Sequence, residues 1–596
     1  MITRTNALCG ASGSSVTDAP ITDYRPLILP LWLRGLALMV VLVALRVAAT
    51  DATPVPTMAA AAVPAGVTGY WRTAVNGTAV TQFPMRVVGL LHDYIYPGLP
   101  VILCEALDPL NKHSGPVGGM SGSPVFVDDK IIGAYAYGPV FQKDQALFMA
   151  TPIDLMLQLQ ALGVPPLGAL PASGAGAGAQ SARERWQLAP LNVCGMSPAA
   201  VGWLQRQLQP YGIAVMDGVV GGIDTNMSTR MQPGSPLAGI VTYGDICSAA
   251  VGTLTYRDGS NIVAFGHPFF RCGAIDMPMA AASILTVTHQ VDRSYKIANV
   301  GPLVGSIYQD RSPAVAGVLG RFVPMVDVRV RTTHPVLGTN VYRCQAIRHE
   351  RFTGMALGSI VMSALGAGLE AGANRTVRSR ASFVLSSGAR ICITNIAASW
   401  STDGQIGLPI IATAEAMIQT PWAPAQLNAV DVEIEFLDAV AQVTMTRAWL
   451  SAGEARPGER VQVTIECQPF RSNSYVQTVP LFVPRDARPG TYTLHIADAH
   501  TADGLDGVML AKPDSLAALL GLFQRQRQAD RVYLKLMAPA AGLVLGANTL
   551  AALPPRAAER WRAEAVAPLT QTTLAESSCA LPAVVRGALT LALQIK

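Results

Sequence analysis

Residues 118–137 read Gly-Gly-Met-Ser-Gly-Ser-Pro-Val-Phe-Val-Asp-Asp-Lys-Ile-Ile-Gly-Ala-Tyr-Ala-Tyr, and this stretch carries the strongest signal for the fold. Two short apolar runs, Pro124–Val127 and Ile131–Tyr137, are separated by a polar step that is typical of a β-hairpin turn. A segment rich in glycine and serine comes directly before the first run. The stretch therefore predicts a tight loop that leads into a hairpin.

Short strand patterns broken by glycine and proline continue on both sides of this hairpin. The chain has 596 residues with 54 glycines and 42 prolines, and half of its residues are apolar. Further along, Arg257-Asp258-Gly259 separates two more apolar runs, as expected of a second hairpin. The pattern predicts a mainly β protein with several domains. The upstream strands are predicted at Gly69–Thr73, Phe83–Leu90 and Pro100–Glu105.

The loop before the first hairpin has the composition that a serine nucleophile needs. Ser121 lies between glycines, and Gly122 leaves room for a substrate and tolerates unusual backbone angles. Gly119, two residues before the serine, can turn its N–H towards a developing oxyanion, and the N–H of Ser121 is the second expected donor. A turn of glycine and serine between strands is the alternative interpretation.

A serine nucleophile needs a general base, and the chain has eight histidines. His267, in Val263-Ala-Phe-Gly-His-Pro-Phe269, follows the second hairpin and is the favoured candidate. His92 and His113 lie closer to Ser121 in the chain and remain alternatives. His92, Asp108 and Ser121 would together follow the order His–Asp–Ser.

Two separate motifs resemble the SpoIVB serine-peptidase family, the sporulation stage IV protein B group. Residues 119–138 look like the family's catalytic serine segment, and residues 252–267 look like its histidine segment. The resemblance covers about 66–335, which is less than half of the chain. Residues 305–317 fit exported relatives that do not sporulate. The resemblance implies a chymotrypsin-like double β-barrel peptidase domain.

Carried over residue by residue, Ser121 matches the family nucleophile and His267 the family base. The family acid lies upstream of the serine, which points to Asp108, while Asp276 and Asp310 stay open as alternatives. The histidine segment follows the serine segment here, whereas it precedes the serine in the sporulation peptidase. The two halves of the domain are therefore expected in permuted order, which a catalytic triad tolerates because geometry defines it.

Composition and pattern divide the chain into seven segments. Strict alternation in 431–436 and 461–465 indicates a β-sandwich after the peptidase domain. The predicted segments are a signal peptide or N-terminal anchor (1–50), the serine-containing half (66–165), a Gly/Ala linker (166–185), the histidine-containing half (186–340), a mixed α/β connection (341–425), the β-sandwich (427–500) and a small α/β tail (501–596).

The N-terminus resembles an export signal. Arg4, Arg25 and Arg34 precede an apolar run at 35–45, which is the length of a signal-peptide core and too short for a membrane span. The segment is either cleaved or kept as an anchor, and both cases place the rest of the chain in the periplasm, the cell envelope or outside the cell. Scattered single cysteines predict no metal site.

Two functions remain open at this stage. The first is an exported serine endopeptidase that cleaves a protein partner or itself through an acyl-enzyme. The second is a catalytically silent, peptidase-like envelope binding or scaffold protein. A net charge of +5 without a Lys/Arg cluster argues against nucleic-acid binding. The expected partner is a protein or peptide, the expected membrane contact is limited to the N-terminal anchor, and no cofactor is expected.

Overall fold

The computed structural model describes residues 54–138, 145–167, 190–290, 294–369, 375–399, 402–422, 425–506, 512–545, 548–562 and 567–596. The predicted signal peptide or anchor at 1–50 and most of the predicted linker at 166–185 lie outside these residues. The described chain is mainly β, as expected. None of its described helices is long and apolar enough to cross a lipid bilayer.

Six antiparallel strands in the N-terminal part close into a barrel, the first barrel, in the order β1-β2-β3-β7-β6-β5. Trp71, Tyr135 and Phe148 fill its interior, and the last two rings stack with centroids 4.3 Å apart. Its strands are β1 (Thr68–Asn76), β2 (Ala79–Tyr96), β3 (Leu99–Ala106), β5 (Pro124–Val127), β6 (Lys130–Tyr137) and β7 (Leu147–Pro152).

The predicted hairpin joins β5 to β6 and is confirmed. Val127 pairs with Lys130, so the turn contains only Asp128 and Asp129. Both have positive φ, 49° and 58°, which is the geometry of the two-residue turn that matches the twist of antiparallel strands. Aspartate tolerates this conformation better than most residues.

A large 15-stranded sheet follows the first barrel. It extends from the short strand before the serine loop to a strand near residue 437. Its strands are β4 (Val117–Gly118), β8 (Leu191–Cys194), β9 (Val215–Asp217), β10 (Val220–Ile223), β11 (Pro236–Gly244), β12 (Cys247–Asp258), β13 (Asn261–Ala264), β14 (Gly273–Thr288), β15 (Ser294–Arg311), β16 (Ala314–Leu319), β17 (Val326–His334), β18 (Gly338–Ala346), β19 (Arg375–Leu385), β20 (Arg390–Ser399) and β21 (Leu427–Leu437).

Part of the large sheet closes on itself. The antiparallel pairings run β11-β14-β15-β16-β13-β12, and β12 pairs again with β11. These six strands form the second ring. The ring lies against the first barrel, because the start of β15 pairs with β4 and Gly77 exchanges hydrogen bonds with Ile284 of β14.

Eight described α-helices accompany the strands, and four of them pack on the large sheet and on one another. Gly358 marks the closest approach among them, because a Cβ there would lie 2.2 Å from the Trp203 ring. The helices are α1 (Pro109–Ser114), α2 (Ile153–Leu157), α3 (Pro198–Leu208), α4 (Thr353–Gly368), α5 (Thr402–Ile418), α6 (Ala499–Leu505), α7 (Leu516–Gln524) and α8 (Pro555–Trp561).

The C-terminal region forms a sandwich of two sheets. One has the order β25-β24-β22-β30, and the other has β23-β31-β26-β27-β28 with β29 beside β27. Their facing side chains share one core. The strands are β22 (Gln442–Leu450), β23 (Glu454–Ala455), β24 (Arg460–Pro469), β25 (Tyr475–Phe482), β26 (Gly490–Ala497), β27 (Arg531–Leu545), β28 (Asn548–Leu550), β29 (Ala567–Ala580), β30 (Val584–Arg586) and β31 (Ala588–Ile595).

The domain boundaries differ from those expected after residue 340. β21 was expected to open the sandwich, but it pairs in parallel with β17 and antiparallel with β19 of the large sheet. β19 and β20, from the expected connection at 341–425, also extend that sheet. The expected tail at 501–596 supplies sandwich strands. Alternation identifies a half-buried strand but carries no information about its neighbours, which explains the difference.

The last strand should therefore matter for stability. Leu593 of β31 is fully buried in the sandwich core. Leu593→Ala should lower the free energy of unfolding by about 2–5 kcal/mol, since it removes apolar contacts and leaves a cavity. Urea denaturation would measure this, with the exposed Leu337→Ala as the control. An unchanged midpoint for Leu593→Ala would contradict this packing.

Candidate active site

The serine loop spans residues 119–123 and lies where the first barrel meets the second ring. Three of its N–H groups donate hydrogen bonds, one within the loop, one to β4 and one to β6. Met120 N donates to Val117 O at 3.2 Å, Gly122 N to Tyr135 O at 2.7 Å, and Ser123 N to Met120 O at 3.0 Å. These bonds fix the path of the loop.

The other two N–H groups of the loop, those of Gly119 and Ser121, donate no hydrogen bond within the described residues. They are the two groups that the sequence predicted as oxyanion donors. Ser121 is half-buried, and its Oγ also has no hydrogen bond in the described part of the chain. The loop thus presents a hydroxyl and two donors without internal partners.

Two glycines give the loop its shape. Gly119 and Gly122 have φ of +87° and +93°, a region that side chains rarely adopt. At Gly122 there is also no space, because a Cβ would lie 2.0 Å from Thr253 O and 2.4 Å from Phe265 N. The loop can approach β12 and the end of β13 only because this residue is glycine.

β12 holds the loop from the second ring. Thr253 donates through its N–H to Ser121 O at 2.8 Å and through Oγ1 to Gly119 O at 3.1 Å. Thr255 Oγ1 donates to Gly122 O at 2.7 Å. These bonds tie the Gly119–Met120, Ser121–Gly122 and Gly122–Ser123 peptide units to β12, and so hold the segment that carries the N–H groups of Gly119 and Ser121.

His267 follows β13 in a strained turn. Phe265 and Gly266 have φ of 68° and 66°. The first barrel stabilises the turn, since Thr151 Oγ1 donates to Gly266 O at 2.5 Å and the Tyr137 ring lies 6.2 Å from the His267 ring. The imidazole is almost completely buried, at 1% exposure.

A backbone carbonyl orients the imidazole. His267 Nδ1 lies 2.9 Å from Pro268 O. Because a carbonyl oxygen can only accept, Nδ1 carries the hydrogen in this contact, and Nε2 is the nitrogen that can accept a proton in the neutral ring. This is the tautomer that a general base needs.

The structure brings the Ser121 loop and the His267 turn together without joining their side chains. Gly122 lies against the backbone of Phe265, two residues before His267. Among the described residues, no hydrogen bond links His267 to Ser121 or to Asp108. Proton transfer would require the imidazole or the serine side chain to move, as is common in unliganded sites.

The candidate carboxylates occupy other positions. Asp108 caps α1, where its side chain accepts from Asn111 N at 2.8 Å and from Asn111 Nδ2. Asp276 forms a largely buried ion pair with Arg321 at 2.7 Å. Asp108, the predicted acid, therefore caps the helix that precedes the serine loop. The contact to His267 Nδ1 that was expected from Asp108 is made by Pro268 O.

Asp310 supports the histidine segment from the other side. Its fully buried carboxylate accepts from Phe269 N and Phe270 N, both at 2.7 Å, and from Cys272 N at 3.3 Å. Burial raises the pKa of the Asp310 carboxyl, and the backbone donors partly offset this effect. Asp310 thus fixes the turn after His267 without contacting the imidazole by a hydrogen bond.

The alternative histidines lie on the surface. His92 and His113 are both exposed, and the His113 ring packs against the His289 ring at 4.9 Å. Neither makes a hydrogen bond to Ser121 within the described residues. The arrangement favours His267 among the candidates.

Lys296 was not singled out from the sequence. It lies on β15 with 2% exposure, and its stem passes Gly119 so closely that a Cβ there would lie 3.2 Å from the Lys296 Cβ. Its Nζ donates to Thr73 Oγ1 of β1 at 2.6 Å. Burial lowers the pKa of this amine to about 7. Alternation could have revealed it, since Lys296 shares the buried face with Ser294 and Ala298.

No family model, no curated protein and no solved structure matches the chain. Within the described residues, no group of three or more His, Cys, Asp or Glu side chains could hold a metal ion.

The lowered pKa of Lys296 predicts a pH-dependent stability. Between pH about 7 and 10.5 the unfolded chain keeps the amine proton that the folded chain has lost, so wild-type stability should rise with pH in this window. Lys296→Met removes this rise. The melting temperature of Lys296→Met relative to wild type should therefore be highest near pH 6 and fall towards pH 10.

Lys130→Met, which replaces an exposed lysine of the β5–β6 turn, is the matched control and should show no such trend. A constant difference between Lys296→Met and wild type from pH 6 to 10 would contradict a buried amine with a lowered pKa.

Proposed function

We propose that the chain is an exported serine endopeptidase, related to the SpoIVB-type family, that cleaves a protein partner or itself through an acyl-enzyme. In this proposal the first barrel and the second ring correspond to the two halves of a chymotrypsin-like domain in permuted order. Support comes from the two closed sets of six antiparallel strands, with Ser121 beside one and His267 at the end of a strand of the other. Export rests on the sequence of residues 1–50.

In the proposed reaction, Ser121 Oγ attacks the scissile carbonyl and His267 Nε2 takes its proton. The N–H groups of Gly119 and Ser121 stabilise the negative charge on the tetrahedral oxygen. His267 then gives the proton to the leaving amine, and water hydrolyses the acyl-enzyme by the same steps in reverse order. Pro268 O keeps the proton on Nδ1 throughout.

The observation that carries the proposal is the pattern of used and unused donors in the serine loop. Within the described residues, three N–H groups are paired and those of Gly119 and Ser121 are not. N–H groups that find no acceptor among these residues are available to a ligand, which favours a bound group that accepts from both.

A specific observation favours the silent scaffold as the second candidate. His267 is buried, and its ring forms no hydrogen bond to Ser121. A site with this geometry could bind a peptide without cleaving it. The two candidates differ in one measurable property, the reactivity of the Ser121 hydroxyl.

Labelling of the full chain with a fluorophosphonate probe tests this property. Wild type should be labelled at Ser121, as identified by peptide mass spectrometry. Ser121→Ala should abolish labelling, and His267→Ala should lower the rate constant by roughly 100-fold or more, because proton transfer in the transition state contributes about that much.

The matched controls are Ser260→Ala and His92→Ala, which replace an exposed serine and an exposed histidine. Both should react like wild type. If folded wild type is not labelled at any pH between 5 and 10, the scaffold is the better description and the search should turn to bound partners.

A further inference from the structure

A buried polar cluster lies directly behind the serine loop. Lys296 Nζ donates to Thr73 Oγ1 at 2.6 Å, and Thr73 Oγ1 lies 3.4 Å from Thr253 Oγ1. Ser123 Oγ lies 3.5 Å from the same Thr253 oxygen and donates to Met120 O at 2.6 Å. The three hydroxyl residues are completely buried. A chain of hydrogen-bonding groups thus connects the amine to the loop.

The amine has no counter-ion among the described residues. Its Nζ contacts the neutral hydroxyl of Thr73 from β1, and that hydroxyl leads on to those of Thr253 from β12 and Ser123 from the loop. Its register partner on β14 is Val287. Burial is the only cause of its lowered pKa, so no charged group compensates for the ammonium form.

A buried ammonium without a counter-ion is costly, and methionine or leucine would fill the same space at a lower cost in free energy. A role in packing alone therefore does not explain the amine. Its position explains more, because the stem runs along Gly119 and the cluster reaches the carbonyls of Gly119 and Met120. The residue therefore lies beside the segment that carries the N–H groups of Gly119 and Ser121, which have no partner among the described residues.

We propose that Lys296 is a positioning residue of the serine loop, whose ammonium form holds the Gly119–Ser121 peptide units and adds positive potential where the oxyanion forms. This inference rests on the proposed function. It deepens that function by adding a regulated group to the site: the loop is supported when the amine is protonated and loses this support when the amine is neutral.

The consequence is an alkaline limb in the activity. The labelling rate should be limited at low pH, where a protonated general base cannot accept the Ser121 proton. It should fall again as the Lys296 amine loses its proton, above pH about 7. The amine does not donate to the oxyanion itself but supports the loop and interacts with the oxyanion electrostatically. Its effect on the labelling rate should therefore be smaller than the 100- to 1,000-fold effect of a direct donor. We expect roughly a tenfold effect on the rate.

The test is the pH profile of the fluorophosphonate rate constant for the full chain between pH 5.5 and 9.5. Lys296→Met should react about tenfold more slowly than wild type at pH 6.5 and should lack the fall above pH 7, while the acid limb stays in place. A structural role would lower the whole profile and keep its shape. Lys296→Arg, which keeps a charge at every pH, should restore the rate near pH 6.5 and show no alkaline fall.

A second variant keeps the test decisive if the Lys296 variants do not fold. Thr253→Val removes the hydroxyl that links Gly119 O to the cluster but leaves the amine. It should lower the rate and weaken the alkaline fall, because the amine then loses its hydrogen-bonded link to Gly119 O. An alkaline fall of unchanged size would contradict the proposed role. Lys130→Met is the control and should match wild type.

The outcomes separate the two proposals. One outcome is that wild type is labelled at Ser121 but shows no alkaline fall, or that Lys296→Met has the same pH profile as wild type. The role of Lys296 is then overturned, and the peptidase proposal stands. If wild type is not labelled at any pH, the peptidase proposal fails and takes this inference with it. A lost alkaline limb in Lys296→Met, with labelling still at Ser121, supports both.

Discussion

The structure around the candidate site depends on one contact, the approach of Gly122 to the backbone of β12 and β13. A side chain at this position would overlap Thr253 O and Phe265 N, so only glycine fits. Through this contact the loop before β5 of the first barrel lies against the turn after β13 of the second ring. The hydrogen bonds from Thr253 and Thr255 can form only because this approach is possible.

Much of the local structure could be predicted from the sequence, because the signals are local. The β5–β6 hairpin follows from two apolar runs around an Asp-Asp turn, and the loop follows from its glycines. The proximity of the Ser121 loop to the His267 turn could be expected only from the resemblance. The two residues are 146 positions apart, and no local sequence pattern fixes the distance between them in space. The sequence did identify the two donors, Gly119 and Ser121, that lack partners within the described residues.

Other features could not be predicted, and the reasons are physical. Asp108 was expected to orient the imidazole, but Asn111 at the start of a helix competes for the same carboxylate oxygens, and a backbone carbonyl has no signature in the sequence. β21 has the alternation of a sandwich strand, yet strand pairing is a non-local choice. Lys296 was overlooked because a lone lysine within a strand is usually exposed, and only its phase relative to Ser294 indicates burial.

The distances along the chain between the loop and its supports have a consequence for biosynthesis. Gly122 O is bound by a residue 133 positions later, and Thr73 receives the amine of a residue 223 positions later. A growing polypeptide that has exposed Ser121 therefore still lacks the strands that order its loop. Contacts of such long range form slowly. These separations thus delay the ordering of the Ser121 loop until the strands of the second ring have been synthesised and folded, so a partly made chain carries the loop without its supports.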